Sequence, residues 1–151
     1  MKEIKIIRVR DVRLPQRSHA FDAGLDLFIP ENISLEVEPN NNIVIPSGII
    51  MLIGEGYMGL ILNRSSIASK KGLLVGAQVI DSGYKGEIHF DLHNVSREKV
   101  LLTGGLKITQ LIITQVSLPI IIEVKNTDLE YITPTKRDSK GFGSTDTQEV
   151  L

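Results

Sequence analysis

Cysteine is absent from the 151 residues of this chain. Disulfide bonds, thiolate nucleophiles and zinc sites built on cysteine are therefore all excluded. A chain without disulfides is compatible with a reducing compartment. We expect a cytoplasmic protein, or one that works in the cytoplasm of a host.

Long apolar runs and a charge excess of either sign are also missing. The uncharged, largely apolar run of residues 108–122 is interrupted by polar residues and by Pro119, and it cannot span a bilayer. Met1 leads straight into charged residues, without the apolar core of a signal peptide. The 17 basic residues are scattered among 18 acidic ones. We therefore expect neither a membrane nor a nucleic acid as partner.

Short β-branched segments separated by turn residues dominate the chain. The predicted strands are Ile4–Val9, Ile43–Ile45, Tyr57–Leu62, Glu87–His93, Lys107–Val116 and Ile120–Val124. One short helix is predicted over Ser66–Lys71, ended by Gly72. This pattern favours an all-β, jelly-roll-like barrel or sandwich with one short helix over residues 1–132.

The apolar periodicity ends near Thr133, and we predict a flexible C-terminal arm over residues 133–151. Two glycines flank Phe142 within Gly141–Thr145, and two hydroxyl residues follow. Such a segment suits a lid in which the ring stacks on a base while backbone N–H groups and hydroxyls meet phosphate oxygens. A disordered end without a function is the alternative.

Two further segments have residues suited to chemistry. Asn63–Ala68 follows a strand and opens the helix, so its backbone amides, hydroxyls and Arg64 could bind an anion; an ordinary serine cap beside a surface arginine is the alternative. Val79–Ile88 is predicted to be a β-hairpin with Ser82 and Gly83 at a tip that needs positive φ. Asp81 and Tyr84 would flank that tip, although taken alone this segment favours Asp81 as a turn former and nothing more.

Together with two weaker segments, these segments resemble the five motifs of the trimeric, all-β dUTPase family, in the family's order. The matching segments are Ala23–Leu27, Arg64–Lys70, Val75–Gly86, Gly105–Leu111, and Arg137 with Gly141–Thr145. They extend from residue 23 to residue 145, and the third and fifth are the most specific.

The resemblance implies a homotrimer whose active sites each draw on three chains, and an enzyme that hydrolyses dUTP to dUMP and pyrophosphate. It also implies Mg²⁺ bound mainly through phosphate oxygens and water. Asp26 is expected in the network around the waters of the metal, or in a structural turn.

The resemblance also assigns roles to individual residues. Asp81 would hold and deprotonate the water that attacks the α-phosphorus. Tyr84 would pack on the deoxyribose, and Phe142 would stack on the uracil. The backbone of the segment Ala77, Gln78 and Val79 would read the base. The other expected substrate contacts are Arg64, Ser65, Ser66, Lys85, Gln110, Arg137, Gly143, Ser144 and Thr145.

Several residues depart from the family pattern. Gln78 replaces a usual glycine in the base-reading segment, so its side chain must point away or take part in recognition. Lys85 and Lys107 replace arginines, with a loss of bidentate geometry, and Asn63 replaces a proline. These departures indicate a divergent member of viral or phage type.

Two alternative functions share this fold. A dCTP deaminase, or a bifunctional dCTP deaminase and dUTPase, would use an acid on the strand that contains Asp91. A regulatory binding protein is the other alternative. His89, Asp91 and His93 are predicted to share the polar face of that strand, as a solvated surface, as a metal site gathered on a threefold axis, or with Asp91 acting on the base.

Overall fold

The computed structural model describes residues 3–125. Within this range the chain forms eleven strands and one helix. The strands are β1 Lys5–Arg8, β2 Leu25–Phe28, β3 Ser34–Val37, β4 Asn42–Pro46, β5 Ile49–Leu52, β6 Tyr57–Asn63, β7 Leu73–Val75, β8 Val79–Asp81, β9 His89–Asn94, β10 Val100–Thr103 and β11 Lys107–Gln115, and α1 is Ser65–Lys71.

The strands form four antiparallel sheets. The largest has the order β2-β11-β6-β8, a second has the order β4-β9-β7, and β1 pairs with β5 and β10 with β3. Partners are distant in sequence, which is typical of jelly rolls rather than of simple meanders. The predicted all-β fold with one short helix is confirmed.

Alternation along β9 shows how the core forms. Ile88, just before the strand, and Phe90 and Leu92 within it are at most 3% exposed. His89, Asp91 and His93 lie on the opposite face, because successive side chains of a strand alternate. The predicted division of this strand into an apolar and a polar face is confirmed.

Asn94 ends β9 as a buried polar residue, 1% exposed. Its side-chain N–H groups donate to the carbonyls of Val37 and Glu98, and its side-chain oxygen accepts from the backbone N–H and hydroxyl of Ser96. Its backbone bonds to the turn at Asn40 and Asn41. All the polar groups of this asparagine are thus paired, as burial requires.

Helix α1 begins one residue before its predicted start and ends as predicted. Gly72 follows it at φ 61° and donates its N–H to the Ala68 carbonyl, which is the left-handed ending that glycine favours. Arg64 is the N-cap, without a side-chain capping bond. The alternative of a serine cap is therefore wrong.

The predicted hairpin over Val79–Ile88 is wrong. β8 pairs with β6, whereas β9 belongs to another sheet. Ile88 instead exchanges backbone bonds with Ser47 and Ile49, and Gly83 does not have the positive φ expected at a hairpin tip. The intervening residues turn because the Tyr84 N–H donates to the Asp81 carbonyl at 3.0 Å.

The predicted strand Ile120–Val124 is also wrong within the described residues. No ladder pairs it there, and a strand needs a hydrogen-bonded neighbour.

The chain divides into two compact units, residues 1–118, which contain every strand described above, and residues 119–151. Only 119–125 of the second unit are described, so the predicted boundary at residue 132 and the arm lie outside the described residues. Among residues 3–125, no helix is long and apolar enough to cross a membrane.

Candidate active site

The first candidate site is a cavity of about 390 Å³ beside the start of α1, called here the arginine cavity. Its lining residues are Ser18, His19, Asp22, Asp26, Arg64, Ser65, Ser66 and Gln110. Strands β2 and β11 and the first turn of α1 supply four of these residues, and Arg64 lies between β6 and α1. Four of them, Arg64, Ser65, Ser66 and Gln110, were predicted as substrate contacts.

Asp26 organises the cations around this cavity. Its Oδ1 lies 2.8 Å from Nε of Arg64, and its Oδ2 lies 2.8 Å from Nζ of Lys107. Ser18 also donates its hydroxyl to Oδ2 at 2.8 Å. Burial raises the pKa of Asp26, but the hydrogen bonds from Lys107 and Ser18 and the charge of Arg64 outweigh it and hold the pKa below its ordinary value.

The Arg64 guanidinium has a fixed orientation. Besides its bond to Asp26, Nη1 donates to the Lys107 carbonyl at 3.0 Å. Gln110 lies close by, where its Nε2 donates to the Asn63 carbonyl at 2.8 Å, and a side chain at Gly24 would collide with its amide. The cavity therefore presents a held cation and a held amide beside the exposed Ser65 and Ser66, which suits an oxyanion.

The second candidate site is a cavity of about 190 Å³, called here the tyrosine cavity. Its lining residues are Ile61, Ala77, Val79, Ile80, Asp81, Tyr84, Ile88 and His89. Its walls are largely apolar, and Asp81 places one exposed carboxylate at them. A planar, weakly polar group such as a nucleoside suits such walls.

Tyr84 is held by the loop that follows β8. Its hydroxyl donates to the Glu87 carbonyl at 2.8 Å, and its ring folds over Gly86, where an added Cβ would lie 2.7 Å from Cζ. Glu87 is in turn fixed by a two-point ion pair with Arg10, at 2.7 and 3.1 Å, and by the Gly48 N–H. Sequence reasoning missed this anchor, because Arg10 and Glu87 are far apart in the chain.

Asp81 and Arg64, one from each cavity, lie towards opposite ends of β6. Asp81 is the strand partner of Met58, near the start of β6, whereas Arg64 directly follows its last residue. A strand rises about 3.3 Å per residue, so the six steps from Met58 to Arg64 place the two groups ~20 Å apart in one chain. The structure does not bring the predicted base and the predicted phosphate clamp together within one chain.

Some predicted residues fall elsewhere. Lys85 is exposed, with Nζ 3.5 Å from the Ser82 carbonyl, and it lines neither cavity. The predicted contacts in the arm lie outside the described residues; they are Arg137, Phe142, Gly143, Ser144 and Thr145. Conversely, Ser18, His19 and Asp22 line the arginine cavity without having been predicted. These three residues lie just before the motif Ala23–Leu27, and that position was the signal in the sequence that could have identified them.

Comparison with known families identifies the family to which the chain belongs. The dUTPase family model matches residues 10–146. The chain belongs to the dUTPase family.

Relatives of similar length support this membership. The deoxyuridine 5'-triphosphate nucleotidohydrolase of Fowlpox virus is 37% identical over 146 residues, covering 96% of this chain and 98% of the relative. That of Mycolicibacterium vanbaalenii is 34% identical over 145 residues, covering 93% of each chain. The family prediction is confirmed, and the level of identity fits a divergent member.

Solved structures agree with the fold. The Staphylococcus bacteriophage 80alpha dUTPase with dUpNHpp superposes with a TM-score of 0.81 at 26% identity, covering 95% of this chain and 98% of that one. The structure of a variant dUTPase from phage phi11 of S. aureus, described as revealing the details for the coordination of a structural Mg(II) ion, matches with a TM-score of 0.75 at 24% identity, covering 82% of this chain and 97% of that one. The second likeness concerns the fold alone.

Proposed function

We propose that this chain hydrolyses dUTP to dUMP and pyrophosphate in active sites that are shared between copies of the chain. Family membership supports the reaction. The separation of Asp81 and Arg64 along β6 supports the sharing, since one triphosphate cannot meet both groups of a single chain. A homotrimer, as the family resemblance implies, would place the tyrosine cavity of one subunit against the arginine cavity of the next.

In this site Asp81 is the general base. Its exposed carboxylate holds a water and takes its proton as the water attacks the α-phosphorus. The uracil and deoxyribose lie in the tyrosine cavity, with Tyr84 against the sugar. The Ile61 N–H donates to the Gln78 carbonyl, and no backbone–backbone bond within residues 3–125 pairs the Gln78 N–H or the Ala77 carbonyl. One donor and one acceptor of this segment are therefore free to read the edge of a base.

The arginine cavity binds the phosphates that leave as pyrophosphate. Arg64 and Lys107 supply positive charge, and the hydroxyls of Ser65 and Ser66 and the amide of Gln110 donate to phosphate oxygens. Because these groups are oriented before substrate arrives, they stabilise charge on the leaving group at little cost in reorganisation. We place Arg137 and the residues Phe142 to Thr145 over the bound nucleotide as a lid.

Mg²⁺ is the cofactor we propose, and the available protein side chains indicate which groups would bind it. Among residues 3–125, no group of three or more His, Asp or Glu side chains suits a metal ion, and both carboxylate oxygens of Asp26 are occupied by cations. A magnesium ion held by phosphate oxygens and water fits these residues. Bound in this way, the ion neutralises charge on the triphosphate. Asp26 would then contribute to metal binding only through water, and to phosphate binding by orienting Arg64.

Assembly is supported by the start of the second unit. Ile120, Ile121 and Ile122 are 78 to 94% exposed, which is unusual for three consecutive aliphatic residues. Burial against another copy would explain them. Light scattering should give about three times the mass of 16.7 kDa; a fully active monomer contradicts the shared site. We place the protein in the cytoplasm, with dUTP as its substrate.

The decisive experiment combines product analysis with complementation. Wild type incubated with Mg²⁺ and each deoxynucleoside triphosphate in turn should yield dUMP and pyrophosphate from dUTP. Release of ammonia from dCTP instead would favour the deaminase alternative.

Asp81→Asn and Arg64→Ala should each be nearly inactive alone. Subunits of the two variants co-expressed with different tags should regain activity in mixed oligomers, because some sites then combine an intact Asp81 with an intact Arg64. Mixed oligomers that stay inactive would contradict sites shared in this way.

A further inference from the structure

Asp91 lies on the outer face of β9 and has no role in the reaction proposed above. Its Oδ2 accepts a hydrogen bond from the Ala77 N–H at 3.2 Å and lies 3.1 Å from Nε2 of His93. Its backbone carbonyl accepts from the Gly76 N–H at 2.9 Å. One residue of β9 therefore binds two successive N–H groups of the segment that follows β7.

Gly76 is packed directly against this carboxylate and imidazole. A Cβ at this position would collide with Oδ2 of Asp91 and would lie 2.6 Å from Nε2 of His93. Gly76 does not have a positive φ, so the requirement for glycine is steric. Any larger residue would force Asp91 and His93 away from the segment.

These bonds determine how the segment presents its polar groups. Because a trans peptide is planar, the Gly76 carbonyl points opposite to the Ala77 N–H, and hence away from Asp91. Ala77 and Val79 line the tyrosine cavity, whereas Asp91 is not part of its lining. Asp91 can therefore affect the cavity through the backbone of residues 76–78 without contacting what binds there.

Asp91 is ionised at neutral pH. The hydrogen bond from His93 lowers the pKa of Asp91, burial works in the opposite direction, and the Ala77 N–H and the Asn42 side chain lower the pKa further. An ionised carboxylate is an acceptor only, and its bond to a backbone N–H is stronger than a neutral one. The charge thus strengthens the hold on Ala77.

We propose that Asp91, oriented by His93, is a positioning residue that fixes the base-reading segment Gly76–Gln78 and thereby sets the affinity and selectivity for uracil. This inference rests on the proposed function, because it assumes that the tyrosine cavity binds the nucleoside.

The test compares Asp91→Ala with Asp91→Asn, using dUMP and pyrophosphate as separate inhibitors of dUTP hydrolysis. In Asp91→Ala the inhibition constant of dUMP should rise about tenfold, as expected for the loss of a charged hydrogen bond, while that of pyrophosphate stays unchanged. The preference for dUTP over dCTP should fall. Asp91→Asn should restore most of both properties, because its amide oxygen can still accept from the Ala77 N–H.

Val44→Ala is the matched control. Val44 pairs with Asp91 across β4 and β9 and is 57% exposed, but it bonds to no residue of the 76–78 segment. Its inhibition constants should equal those of wild type.

Gly76→Ala provides a second route, should Asp91→Ala fail to fold. This substitution should weaken inhibition by dUMP and leave inhibition by pyrophosphate unchanged. Its effect should not add to that of Asp91→Ala in the double variant. The inference is overturned if dUMP inhibits wild type and Asp91→Ala equally. It is also overturned if inhibition by dUMP and inhibition by pyrophosphate weaken to the same extent in Asp91→Ala. The proposed function fails separately, if wild type neither hydrolyses dUTP nor binds dUMP.

Discussion

The arginine cavity and the tyrosine cavity are built on different physical principles. Charged groups hold the first, where Asp26 ties Arg64 and Lys107 in place with contacts of 2.8 Å. Backbone groups shape the second, through the bonds from Tyr84 to Glu87 and from Ile61 to Gln78, and the charged groups that support it, Asp91 and the Arg10–Glu87 pair, lie outside its lining. A polyanion needs oriented cations, and a base needs backbone groups left unpaired. The separation along β6 applies to Asp81, the partner of Met58, and to Arg64, whereas the base-reading segment lies between them, where Gln78 bonds to Ile61.

The largest expected effect separates chemistry from binding in the tyrosine cavity. Asp81→Asn keeps the shape of the side chain but cannot accept a proton, so kcat should fall ~10²–10⁴-fold. Binding of a nonhydrolysable dUTP analogue, measured by calorimetry, should survive. Asp11→Asn, an exposed carboxylate outside both cavities, is the control. Near wild-type turnover in Asp81→Asn would make Asp81 a turn residue only.

A smaller effect is expected when the geometry of the arginine cavity is changed but its charge is kept. Arg64→Lys cannot bond Asp26 and the Lys107 carbonyl together, so kcat/KM for dUTP should fall ~10–100-fold. Inhibition by dUMP should weaken less than inhibition by pyrophosphate. Arg13→Lys replaces an exposed arginine outside both cavities and should have no effect. Equal weakening of both inhibitors would mean that the cavities are not divided between base and phosphate.

The third prediction concerns the sugar. If the Tyr84 ring faces C2′, UTP must bury a hydroxyl without a partner, which costs roughly 1–3 kcal/mol. Tyr84→Ala should therefore reduce the ratio of kcat/KM for dUTP to that for UTP about tenfold or more. Tyr84→Phe keeps the ring and loses only the bond to Glu87, so it should retain the ratio. A ratio unaffected by Tyr84→Ala would place the ring elsewhere.

The smallest effect is a pH dependence of stability that belongs to the arginine cavity. The folded pKa of Asp26 lies below the unfolded value of about 3.9. Its ion pairs therefore stabilise the fold above that pH and lose this contribution as the pH falls through the folded pKa. The melting temperatures of wild type and Asp26→Asn should converge below pH ~4. A difference that stays constant down to the acid limit would contradict an ionised, ion-paired Asp26.

Sequence reasoning succeeded where a property is local or periodic. The alternation around Phe90 predicted which face of β9 is buried, and Gly72 predicted the end of α1. It failed where pairing is non-local. Ile88 bonds to Ser47 and Ile49 rather than closing a hairpin, and no spacing rule indicates that choice.

The same limit applies to the candidate site. Motif residues such as Arg64 and Gln110 were assigned by resemblance, and the structure brings them to one cavity. The hold of Lys107 on Asp26 and the contact of Asp91 with Ala77 depend on which strands become neighbours. Local patterns do not contain that information, and it becomes visible only when the register is known.

Asn94 has a consequence for how the chain finds that register. Its amide reaches the Val37 carbonyl, 57 residues away in sequence, and the turn that contains Glu98. A slip by one residue would turn this side chain to the other face of its strand and leave several buried polar groups unpaired. Misregistered pairings of β9 are thus penalised at a single position. Asn94 therefore favours the native register over its one-residue alternatives, because only the native register pairs all of its buried polar groups.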